Sequence, residues 1–115
     1  MDDRRKLPRK FLMFYTRVFD AATNKLVGHL ADVTPGGLML IGERAVATGQ
    51  DFHLRLELPG DVAERPFIEF EARSLWCKPD VNPLYFTTGF EFVRITPEAV
   101  AVIARIVEAY GFRDN

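Results

Sequence analysis

Asp51-Phe52-His53-Leu54-Arg55-Leu56-Glu57-Leu58 alternates along its whole length, with Phe52, Leu54, Leu56 and Leu58 apolar and Asp51, His53, Arg55 and Glu57 polar or charged. In an extended chain successive side chains point to opposite faces, so this stretch reads as a strand with one face buried and the other in water. On a helix the same apolar residues would be scattered around the axis. Pro59-Gly60-Asp61 ends the stretch, because proline lacks an amide donor and glycine tolerates turn geometry.

The neighbouring segments carry the same period. Downstream, Phe67 to Cys77 places Ile68, Phe70, Ala72 and Trp76 on one face, so Trp76 is expected in the core. A proline-containing loop from Lys78 to Pro83 leads into Thr87–Val93, which alternates at Thr88, Phe90 and Phe92. Upstream, Phe11–Asp20 is apolar on both faces, Ala21–Lys25 is a polar turn, and Leu26–Thr34 reads as the returning strand. Pro35-Gly36-Gly37 breaks that ladder, with glycine expected to supply positive φ, and Leu38–Ile41 forms a short strand after it.

The C-terminus changes period. Thr96 suits an N-cap, Pro97 the first helical position and Glu98 the positive end of the helix dipole. Val100, Ile103, Val107 and Tyr110 then fall on one helical stripe, expected to pack on the rest, with Gly111 as the C-cap. Six short strands followed by one helix predict a mainly β fold, an antiparallel barrel or sandwich with a helix against it.

A chain of 115 residues is one ordinary domain, and its ten Phe and 48% apolar content supply a core without staples. Cys77 is the single cysteine, which excludes an intrachain disulfide. The N-terminus lacks the apolar run of a signal peptide and no segment approaches a bilayer span, so a cytoplasmic protein without membrane insertion is expected. Net charge is −1 but unevenly spread: residues 1–10 carry +3 and the remaining 105 carry −4. A basic arm on a mildly acidic body argues against broad binding of a nucleic-acid polymer and suits a small anionic ligand.

Two local features stand apart from the core pattern. Arg5 and Arg9 lie four positions apart in the arm, beside Arg4, and Pro8 biases that segment away from helix. Extended, the two positions are at most about 14 Å apart, enough to touch different parts of one ligand. Asp32-Val33-Thr34-Pro35-Gly36-Gly37 sets a carboxylate, a hydroxyl and a glycine at offsets of 0, 2 and 5. Taken singly, the first is ordinary solvated charge and the second an ordinary turn whose side chains bond local backbone. His29 and His53 lack companion ligands for a metal, and Cys77 lacks a base, so neither a metal site nor a catalytic set is expected.

In this order, ahead of a β-rich domain, the two features resemble the PilZ family, whose signatures are Arg-x-x-x-Arg and then Asp/Asn-x-Ser-x-x-Gly. Arg5 and Arg9 match the first, Asp32 and Gly37 the second, and Thr34 stands where the family prefers serine. Threonine keeps the donor but restricts χ1 and needs room for a methyl. The strand order and terminal helix extend the resemblance over nearly the whole chain.

The resemblance implies a six-stranded antiparallel PilZ-type β-barrel (residues 11–115) with a C-terminal α-helix, preceded by a flexible arm (residues 1–10). It also implies a non-enzymatic receptor without a cofactor, whose ligand is cyclic di-GMP. Arg4, Arg5, Arg9, Asp32, Thr34 and Gly37 are the expected binding residues. Ordering of the arm would relay binding to an unidentified protein effector, from a monomer or weak homodimer. The competing readings are a PilZ-like interaction module that has lost nucleotide binding, and a small oligonucleotide binder that uses the arm.

Overall fold

The computed structural model describes residues 16–58 and 65–110. The strands are β1 (Arg17–Asp20), β2 (Lys25–Thr34), β3 (Gly37–Gly42), β4 (Asp51–Glu57), β5 (Phe67–Pro79) and β6 (Phe86–Arg94), followed by helix α1 (Pro97–Tyr110). The proposed arm, Phe11–Tyr15 of the first expected strand and the Gly111 cap lie outside the described residues.

All pairings are antiparallel and the sheet closes on itself in the order β1-β2-β3-β6-β5-β4. It consists of two three-stranded meanders joined edge to edge, β3 against β6 and β1 against β4. Closure leaves no open sheet edge to template aggregation. It also decides between barrel and sandwich, which the alternation alone left open.

β4 shows why the alternation forces this arrangement. Leu54 and Leu56 are fully buried inside the barrel, whereas Asp51, His53, Arg55 and Glu57 face out. There the outward residues bond charged partners on neighbouring strands: Asp51 with Arg73 at 2.7 Å, His53 with Glu69 at 2.9 Å and Glu57 with Arg17 at 2.9 Å. The Arg73 guanidinium holds the Asp51 carboxyl below the usual carboxylate range. Such exposed pairs fix register more than they add stability.

Val18, Leu30, Val33, Leu40, Ile68, Phe70, Ala72 and Phe90 complete the barrel interior. Ser74, wholly buried among them, is satisfied: its hydroxyl donates to the Ala47 carbonyl at 2.7 Å and accepts from the Gln50 amide at 3.3 Å, tying the β3–β4 connection to β5.

Thr96 caps α1 as expected, its hydroxyl accepting from the Ala99 amide at 3.1 Å. The buried stripe differs from the expected one. Ala99, Val102, Ile103 and Ile106 enter the core, Val107 is partly buried and Val100 is 42% exposed. The segment Ala99–Val107 is apolar nearly all round, so its periodicity admits two stripes about 100° apart. Packing against the barrel selects the one containing Ala99.

A candidate ligand cleft on the barrel wall

Strict alternation from Leu30 would carry Asp32 to the same side, into the core. It does not, because Leu30 pairs with Leu40 while Asp32 pairs with Met39, which makes Ala31 an extra residue in β2. This bulge resets the phase: Val33 turns in, fully buried, and Asp32 turns out.

A second bulge does the same for β5. Ser74 pairs with Phe90 and Trp76 with Gly89, so Leu75 is extra. Trp76 is therefore 38% exposed on the outer wall, and its expected place in the core is corrected. Cys77, next in line, turns inward instead, where its sulfur accepts from the Thr88 hydroxyl at 3.3 Å and the Val46 amide at 3.4 Å.

The two bulges bring their outward residues into one transverse row across four strands, Asp32–Met39–Gly89–Trp76. At one strand spacing per step its ends are roughly 14 Å apart. A parallel row holds Thr34, Gly37, Glu91 and Arg73. Between them lies an open cleft of about 290 Å³, with Asp32, Thr34 and Gly37 on one side and Leu75, Trp76 and Glu91 on the other.

The β2–β3 corner is held from within. Val33 N–H donates to Asp32 Oδ1 at 2.8 Å, and Gly36 N–H to Thr34 Oγ1 at 3.3 Å. Phe92 N–H donates to the Gly36 carbonyl at 3.0 Å, docking the turn on β6. Gly37 is buried, and a Cβ there would collide with the Phe90 carbonyl; Gly36 has open space. Positive φ is not what this corner uses: among the described residues it occurs at Asn24 and Gly49. Gly37 is required by the close approach of β6.

Gly89 plays the corresponding part opposite. A Cβ on it would strike Cε2, Nε1 and Cζ2 of Trp76, so the indole lies across a glycine that leaves it room. Lys78 Nζ stands 5.3 Å from the ring centroid, within cation–π range.

Asp32, Thr34 and Gly37 thus line one cleft, and Trp76, Leu75, Met39 and Glu91 join them. Trp76 is the single tryptophan of the chain, but the extra residue that turns it outward has no signature in the apolar pattern. Arg4, Arg5 and Arg9 lie outside the described residues. Among those described, no three His, Cys, Asp or Glu side chains cluster to hold a metal, and no helix is long and apolar enough to cross a membrane.

The chain is similar in structure to the inhibitor of motility MotI/DgrA of Bacillus subtilis, with a TM-score of 0.62 and 13% identity over 87% of this chain and 47% of that one. It spans about half the length of that protein. It is similar, with the same TM-score and 17% identity, to the PilZ domain with c-di-GMP of YcgR from Escherichia coli, over 84% of this chain and 81% of that one. At such identities the likeness concerns the fold. No curated protein matches the sequence. The sequence model of the PilZ domain, however, matches residues 3–109, nearly the whole chain. The chain belongs to the PilZ domain family.

Proposed function

We propose that this protein is a receptor for cyclic di-GMP, without catalytic activity, that works in the cytoplasm. The observation that carries the reading is the shared orientation of Asp32 and Trp76, which separate bulges turn onto one cleft beside Thr34 and Gly37. Family membership and the nucleotide named with the YcgR domain support it.

Cyclic di-GMP presents two guanines and two phosphates. A carboxylate accepts from the N1 and N2 donors of a guanine, which is the role of Asp32. Trp76 offers a π face for a base, and stacking of this kind contributes about 1–3 kcal/mol per base. The Thr34 hydroxyl donates to a phosphate oxygen once it leaves the Gly37 carbonyl, 3.5 Å away. Arg4, Arg5 and Arg9 supply positive charge to the ligand, pairing bidentately with phosphate or with guanine O6 and N7. Closing of the arm over the ligand changes the surface shown to a protein partner, which is how binding is relayed.

A thermal melt tests the reading. A ligand that binds the folded state alone stabilises it by about 2.7 kcal/mol at a hundred times its Kd, so Tm rises with cyclic di-GMP and not with GMP. An unchanged Tm at millimolar nucleotide would contradict it.

A further inference from the structure

Glu91 lines the cleft together with Leu75 and Trp76. It follows Gly89 by two positions on β6, with the buried Phe90 between them, so its side chain stands on the outer wall. Trp76 pairs with Gly89, which makes Trp76 and Glu91 diagonal neighbours across β5 and β6, close enough to touch one planar ligand group. The indole itself lies over Gly89. From there Glu91 is about 7 Å along the same strand, whereas Asp32 is two strand spacings away, roughly 9–10 Å, on a shorter stem. The Glu91 side chain is exposed and takes no hydrogen bond or ion pair among the described residues. Arg73, opposite it in register, is held by Asp51 instead: Nε donates to Oδ1 at 2.7 Å and NH2 lies 3.4 Å from Oδ2.

A carboxylate beside a stacking platform selects which part of a nucleotide can lie there. It repels phosphate, accepts hydrogen bonds and donates none. The base edge that suits it carries adjacent donors, as N1–H and the N2 amino group of guanine do. Adenine sets an acceptor, N1, beside its N6 amino group and faces the carboxylate with a lone pair. We propose that Glu91 reads the Watson–Crick edge of the guanine stacked on Trp76, and so separates guanine from adenine at that position. The inference rests on the cyclic di-GMP reading of the cleft. It assigns the two carboxylates to different bases, Glu91 to the guanine on the indole and Asp32 to the other.

The test is titration of the full chain with cyclic di-GMP and with cyclic GMP–AMP of the same ring linkage, which keeps both phosphates and exchanges one guanine for adenine. The variant is Glu91→Gln, isosteric and outward-facing, whose carboxamide can match either base edge. The parent is expected to prefer cyclic di-GMP by roughly tenfold or more. Glu91→Gln is expected to bind cyclic di-GMP roughly tenfold more weakly, with its preference reduced to within about threefold. Three results overturn the proposal while leaving the receptor reading intact. In one, Glu91→Gln keeps the parent's ratio between the two nucleotides, as it would if Asp32 read the stacked base. In another, both nucleotides bind the variant more tightly by the same factor, as mere removal of a negative charge would give. In the third, the parent binds the two nucleotides equally. A parent that does not bind cyclic di-GMP ends the receptor reading, and this proposal with it.

Discussion

Asp32 and Trp76 stand at opposite ends of one cross-strand row, and each reaches the outer wall because a single extra residue, Ala31 or Leu75, shifts the phase of its strand. Without the Ala31 bulge or the Leu75 bulge the cleft would lose one of its walls. Bulges near sites commonly re-aim a side chain in this way.

Removing the platform should therefore cost affinity more than fold. Trp76→Ala is expected to weaken cyclic di-GMP binding roughly tenfold or more, with Trp76→Phe recovering part of it, as titration would read. Gly89→Ala reaches the same end from beneath, because its methyl displaces the indole. Trp76 being the single tryptophan, a changed emission spectrum for Gly89→Ala would report that displacement directly. Parent-like affinity in Trp76→Ala would remove the indole from the site.

The paired glycines of the corner should behave differently from each other. Gly37→Ala drives a methyl into the Phe90 carbonyl and is expected to destabilise the fold by about 1–3 kcal/mol in urea melts. Gly36→Ala has room and is expected to fall within about 0.5 kcal/mol of the parent. Equal effects would mean that β6 does not hold the corner as described.

Acid should loosen the barrel through His29. Burial chiefly, and then the charge of Arg17, hold its pKa below the ordinary 6.5, with Glu43 opposing. With the folded-state pKa lowered, the unfolded chain binds the proton more readily. The contribution of His29 is thus fully present above pH 6.5 and is lost as pH falls from there through the depressed folded value. Tm measured from pH 7.5 to 5 should drop, and drop less in His29→Gln. The same slope in both proteins would assign the acid sensitivity elsewhere.

How far the sequence could be read follows from what kind of signal each feature leaves. The alternation of Asp51–Leu58 reports burial directly, so β4 and its neighbours were legible, as was the Thr96 cap of α1. The Asp32–Gly37 corner was legible through its motif. A bulge alters pairing without altering composition, and Ala31 and Leu75 look like any strand residues, which is why Trp76 was expected in the core. The stripe of α1 was ambiguous because Ala99–Val107 is apolar on almost every side. Gly37 was recognisable as a glycine that matters, but its reason, the crowding by β6, belongs to tertiary structure.

Calorimetric titration of the full chain with cyclic di-GMP, in the parent and in Asp32→Ala, Trp76→Ala, Arg5→Ala and Arg9→Ala, tests the central claim most directly. Saturable heat in the parent, with affinity at least about tenfold weaker in each variant, is the predicted result. A parent that gives no heat, or variants at positions 32 and 76 that bind as the parent does, would contradict it.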